Sequence, residues 1–285
     1  MLSSCRRIKV VVAFVCSLLP TSRSFPTRYT IDDSVCAPLE EAELRKVVNR
    51  NCESLHKFLQ KKPIATHTRA AFNQVSPLID LSKPIVLDSG CGTARSTILL
   101  GDRFPDHTIV GVDRSFVRLN RNNLEGDDSF INPSEESQRP FQALSSNVLL
   151  VRAELTDFWR CCLDAEWNIE KHFILYPNPY PKKNRLKKRF YAHPSFPLIL
   201  QLGGDITVRS NWMGYLTEFA HSVEYAHDFY RNTLDDRANN PALQYMTDAL
   251  RGPVERTDKS IAWTNFEKKY DNSDEPTYEL VLNRE

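Results

Sequence analysis

The feature that most constrains this chain is its alternation of short apolar runs with segments of helical period. PLEEAELRKVVNRNCESLHKFLQ (residues 38–60) repeats its apolar positions at helical spacing, and IVLD (residues 85–88) is a short apolar run. STILLGDRF (96–104) again suits a helix and HTIVGVD (107–113) a strand, and NVLLVRAE, KHFILYP and GDITVRS continue the series. Strands that alternate with helices predict an α/β fold, a mainly parallel sheet covered on both faces with ligands at the carboxyl ends of the strands. The sequence contains no internal repeat.

Composition narrows the function classes. With 285 residues, 41% of them hydrophobic, the chain can bury a sizeable core as one large domain or two small ones. A net charge of only +1 means that any affinity for nucleic acid must come from uneven placement of charge. The seven cysteines form no CxxC pair or regular framework, which argues against a zinc ribbon or a disulfide scaffold and for reduced thiols. The seven histidines lack metal-ligand spacing, so no metal is expected.

The first strand runs into Asp88-Ser89-Gly90-Cys91-Gly92-Thr93-Ala94. Glycines at 90 and 92 let the backbone turn tightly and approach a ligand, and the following helix start offers free N–H groups. A dinucleotide fingerprint would need a third glycine where Arg95 stands, which disfavours a nicotinamide enzyme. Small residues at 90, 92 and 94 instead suit a shorter loop beneath a nucleoside. Asp113 ends the second strand, where an ionised carboxylate can accept from both ribose hydroxyls; the alternative is a helix cap for the segment with Phe116 and Leu119. Glu154, after LLVRA, is a third acidic strand end suited to an adenine amino group, with Asp157 as its competitor.

LYPNPYPKKNRLKKRF (residues 175–190) sets prolines and tyrosines against six cations among the eight residues from Lys182 to Arg189. Prolines restrict the backbone just beyond a strand end and hold Asn178 and Tyr180 there, Tyr180 as a stacking surface for an unstacked base and the cations as phosphate contacts. An isolated basic run more often forms a solvated helix face, but this one follows a turn at a ligand-facing sheet edge. Tyr176 reads as core packing, as does the stripe Leu216, Phe219, Val223.

Three acidic strand ends and a GxGxA loop resemble a class I S-adenosylmethionine-dependent methyltransferase. LYPNPYPKKNRLKKR is similar to the signature of the tRNA (guanine-N7)-methyltransferase family, as are GGDITVRSNWMGYLTEF and WTNFEKKY, the last carrying Thr264 and Glu267 as Thr-x-x-Glu. The resemblance implies a Rossmann-like, mostly parallel seven-stranded sheet with helices on both faces and its last strand in YELVLN. It implies that Asp88, Gly90, Gly92, Asp113 and Glu154 hold S-adenosylmethionine, that Lys182 contacts tRNA, and that Asn178, Asn211, Thr264 and Glu267 surround a variable-loop guanine. Where the family usually has aspartates, this chain has Asn178 and Asn211. Asparagine can pair with guanine N1–H and O6 or with the amino edge of adenine, which leaves the base open. Two alternatives stand: methylation of an exocyclic or side-chain amine, since Asn-Pro-Tyr is similar to the Asn-Pro-Pro-Tyr turn of amino methyltransferases, and a non-catalytic RNA-binding homologue.

The termini and insertions complete the plan. Residues 1–25 read as a leader, with Arg6, Arg7 and Lys9 before VVAFVCSLLP, a run long enough for a signal peptide and too short for a membrane span. With Phe25 following, it resembles the bipartite plastid presequences of algae with complex plastids; otherwise the cytoplasm or nucleus is expected. Residues 26–80 are expected to form a helical extension and 81–285 the methyltransferase domain. Within it, residues 126–146, beginning with GDDSFINPSEESQ, read as a surface insertion and 239–253 as an irregular connection.

Overall fold

The computed structural model describes residues 39–121, 140–233, 243 and 252–284. The leader, most of the polar insertion and most of the 239–253 connection lie outside the described residues.

The apolar runs become strands β1 (Ile85–Ser89), β2 (Thr108–Asp113), β3 (Phe141–Ala143), β4 (Val148–Arg152), β5 (Ile169–Leu175), β6 (Asp205–Ser210), β7 (Val254–Glu255) and β8 (Tyr278–Leu282). They form one sheet in the order β3-β4-β2-β1-β5-β6-β8-β7. The pairs β1–β2, β2–β4, β1–β5 and β5–β6 are parallel, whereas β8 runs antiparallel to both β6 and β7. The chain builds outward from β1 through β2 to β4, then returns to place β5 on the other side of β1. That reversal opens a crevice beyond the carboxyl ends of β1 and β5, the place where such sheets bind ligands.

The eighth strand is β3, which pairs antiparallel with β4 through Phe141↔Val151 and falls within the stretch expected to be a surface insertion. Three residues after a polar run are too few to show a strand period, and only the free edge of β4 gives them a partner. Without β3 the sheet has the expected seven strands, with YELVLN supplying β8.

Alternation within β1 sends Ile85 and Leu87 to one face and Val86 and Asp88 to the other. The first face packs against α1 (Glu41–Lys61), α2 (Thr66–Val75), α5 (Leu155–Asp164), α6 (Phe196–Gln201) and α7 (Met213–Thr233). Leu44, Val48, Cys52 and Leu55 make the buried stripe of α1, which lies along α7, where Leu216, Phe219 and Val223 are fully buried as expected. Each such side chain contributes roughly 1.5–3 kcal/mol by leaving water. The second face is covered by α3 (Arg95–Arg103), through Leu100, and by Trp263 ahead of α8 (Asn265–Asn272). The helix expected around Phe116 is a single turn, α4 (Phe116–Leu119), capped by the Ser115 side chain and not by Asp113.

Candidate active site

At the crevice, β1 ends in a loop that alternates left-handed residues: Gly90 has φ +83°, Gly92 +60° and Ala94 +61°. The N–H groups of Gly90 and Cys91 donate to the Val112 carbonyl at 2.8 and 3.2 Å, which ties the loop to the end of β2. Asp113 holds it from the side, accepting from Gly92 N–H at 3.1 Å and Ser115 N–H at 2.7 Å, with Arg118 at 3.2 Å. A cleft of about 320 Å³ opens here, and Gly90, Asp113, Glu154 and Asn178 are among the residues lining it. Glu154 precedes α5 without capping it, and its nearest cation is Arg114 at 3.8 Å.

The opposite wall is the proline-tyrosine turn after β5. Tyr176 and Tyr180 both sit at positive φ, +52° and +42°, where side chains crowd the backbone, so the surroundings must hold them there. Tyr176 N–H donates to the Arg209 carbonyl at 2.8 Å, and its ring stacks against Phe266 and Tyr270 of α8. The Asn178 side chain accepts from Tyr180 N–H at 3.1 Å. Arg189 then clamps the turn, donating to the carbonyls of Tyr180 and Pro181 at 3.2 and 3.1 Å.

Several residues expected at the site lie elsewhere. Asp88 does not line the cleft: it is 1% exposed and accepts from the hydroxyls of Ser96 and Thr97 at 2.7 Å each, so it anchors α3 behind the loop. Burial pushes its carboxyl up to about 6, and the neighbouring Asp113 adds to the shift. Asp157 turns away from the cleft, accepting the Ala65 N–H at the start of α2 at 3.0 Å, so Glu154 is the acid that faces it. Lys182 is exposed at the start of a 3-10 helix, Lys183–Lys188, and the cation of this run that lines the cleft is Lys188, 5.8 Å above the Tyr180 ring. Asn211 is half-buried beyond β6 and outside the lining. Glu267 is 0% exposed, so it cannot touch a base as the structure stands; it accepts from Arg209 at 2.9 Å and from Trp263 N–H at 2.5 Å. Thr264 caps α8 by accepting from Glu267 N–H at 3.0 Å.

A family model described as a putative methyltransferase matches residues 82–280, which spans the loop, the cleft and α8. The chain belongs to this family. Among curated relatives, the tRNA (guanine-N(7)-)-methyltransferase of Mycolicibacterium gilvum (strain PYR-GCK) is 26% identical over 179 residues, 60% of this chain and 64% of the relative. That of Acinetobacter baylyi (strain ATCC 33305 / BD413 / ADP1) is 23% identical over 169 residues, 54% of this chain and 62% of the relative. The chain thus spans less than two thirds of the length of either. Among solved structures, an antibiotic-related methyltransferase aligns over 74% of this chain and 93% of its own at 12% identity and a TM-score of 0.42, too distant to position a side chain.

Two polar networks of this chain were not read from the sequence. Arg189, counted there with the phosphate-binding cations, is buried against Glu218 at 2.9 Å with exposures of 2% and 3%, and Tyr191 donates to the same carboxylate. An acid on the stripe of Tyr215, Leu216, Phe219 and Ser222 was the available signal, since a buried charge needs a partner. The other network lies beneath the cleft, where the Ser89 hydroxyl meets His172 Nε2 at 2.8 Å and accepts from Trp159 Nε1 at 2.9 Å. Burial holds His172 down at about 3, hence neutral. Nothing in the local sequence announces this contact across 83 positions.

Proposed function

We propose that the chain transfers a methyl group from S-adenosylmethionine to N7 of a guanine in tRNA. The observation that carries this reading is a cleft between two unlike walls. One wall has the glycine loop, Asp113 and Glu154, and the other has Asn178, Tyr180 and Lys188. The activity named for both curated relatives supports the choice of substrate.

The residues present fit the donor. A Cβ built on Gly90 would meet only Leu155, at 4.0 Å, so the loop backbone is open on its cleft side. Asp113 has about four acceptor sites, of which Gly92, Ser115 and Arg118 use three. Accepting two ribose hydroxyls therefore requires the half-exposed Arg118 to swing aside. Glu154 then faces an exocyclic amine. S-adenosylmethionine, when bound, supplies an electrophilic methyl on a sulfonium.

Guanine N7 carries a lone pair and no proton, so attack needs no general base. Catalysis by this chain is then a matter of position: Tyr180 stacks the base, Lys188 and the exposed cations before it hold phosphate, and the clamped turn keeps the base still. Transfer to an amine is less well supported, because the Asn178 oxygen that an amine would need already uses one of its two lone pairs on Tyr180 N–H.

The test incubates the full chain with labelled S-adenosylmethionine and unmodified tRNA transcripts, followed by nucleoside analysis. The expected product is 7-methylguanosine, with Asp113→Ala lowering donor affinity at least about 100-fold through the lost buried acceptor. Donor binding without methylation of any transcript would sink the proposal.

A further inference from the structure

Asn178 lines the cleft with one half of its amide already engaged. Its partner, the Tyr180 backbone N–H at 3.1 Å, can only donate, so the atom facing it is the oxygen Oδ1 whichever way the amide is drawn. The turn is held in this shape from behind, where Arg189 binds the carbonyls of Tyr180 and Pro181. Nδ2, with two N–H donors, has no hydrogen-bond partner among the described residues, so it is the wholly unengaged end of the amide, while Oδ1 already has one of its two lone pairs in use.

We infer that Asn178 is a specificity residue that presents a donor to the target base and reads guanine O6, not the N1–H and 2-amino edge. The inference rests on the proposed guanine-N7 reaction. O6 and N7 are adjacent acceptors on one edge of guanine, so a donor at O6 fixes the base with N7 beside the point of contact. An aspartate in the same turn would accept from Tyr180 N–H with one oxygen and offer the other as an acceptor, suited to N1–H and the 2-amino group. Asparagine at 178 inverts that polarity, and the 2-amino group becomes dispensable.

The test uses tRNA transcripts with guanosine, inosine or 2-aminopurine at the methylated position. The wild type is compared with Asn178→Ser, whose hydroxyl can still accept from Tyr180 N–H but has no second arm. Inosine, which keeps O6 and N7 but lacks the amino group, is expected within about threefold of guanosine in kcat/KM. 2-Aminopurine, which keeps N7 and the amino group but lacks O6, should fall about tenfold or more, the effect of one unmade hydrogen bond. Because 2-aminopurine also lacks N1–H, the decisive comparison is the variant: Asn178→Ser should lower guanosine about tenfold and close most of its gap to 2-aminopurine, with the melting temperature unchanged. A loss of tenfold or more on inosine, with guanosine still methylated, overturns the inference and leaves the reaction standing. Failure of a donor-binding protein to methylate guanosine overturns the reaction and the inference with it.

Discussion

At the residue scale, the site separates what a strand period can tell from what it cannot. Gly90, Asp113 and Glu154 were legible because each stands at the end of a strand or within two residues beyond it, where the chain reaches the crevice. Asp88, one turn of the pleat earlier, carries the same chemistry but faces α3, and only the packing of Ser96 and Thr97 reveals its role. Its carboxyl, raised to about 6 from 3.8, keeps in the folded state a proton that the unfolded chain has released. The resulting stabilisation is therefore full below about pH 4, is lost as pH rises to about 6, and changes no further above that. Asp88→Asn keeps an oxygen for both hydroxyls and carries no charge. The stability of the variant relative to the wild type should rise by up to about 3 kcal/mol between pH 4 and 6.5, then level off, as read by denaturant unfolding across pH. A difference that stays flat through that window would show that the Asp88 carboxylate is not held out of water.

At the scale of elements, α8 shows a motif whose pattern was visible and which has a structural use that the resemblance did not imply. Thr264-x-x-Glu267 was expected around the base by resemblance, yet a threonine three residues before a glutamate is also the signature of a helix start. The structure shows that second meaning: Thr264 caps Glu267 N–H, and Glu267 turns back to Trp263 N–H and across to Arg209. The helix so fixed carries Phe266 and Tyr270, which stack on Tyr176 and brace the turn. Thr264→Ala should cost about 1 kcal/mol of stability and Glu267→Ala about 1.5–3 kcal/mol, the second because Arg209 loses one buried partner while keeping Glu279 at 2.6 Å. Both should lower kcat more than they weaken donor binding. If Thr264→Ala instead raises KM for tRNA with no change in melting temperature, Thr264 acts on the base and not through α8.

At the scale of the whole molecule, the alternation of runs was enough to give a mainly parallel sheet with its ligand side at the carboxyl ends of the strands, whereas the reversal at β1 and β5 that places the crevice is seen only in the strand order. The alternation could not give contacts between residues far apart in sequence, because periodicity describes one segment at a time. Glu218 is the clearest case. From α7 it accepts from Leu39 N–H just ahead of α1, 179 positions away, at 2.6 Å, and from Arg189 and Tyr191 beside the turn. One buried carboxylate thus joins the first described helix to the wall that holds Asn178 and Tyr180. Removing it leaves the buried Arg189 guanidinium, packed over Trp212, without its counter-charge, so Glu218→Ala should lose about 3–5 kcal/mol. The paired change Arg189→Met with Glu218→Leu removes both charges and should recover much of that stability. It should not recover methylation, because the carbonyls of Tyr180 and Pro181 would still lack their clamp, whereas donor affinity, set by the opposite wall, should stay within about threefold of the wild type. Stability by denaturant unfolding, donor binding by calorimetry and methylation by label transfer separate these effects. A double variant that regains stability and full activity together would mean that the Arg189 clamp on the turn is not needed for the reaction.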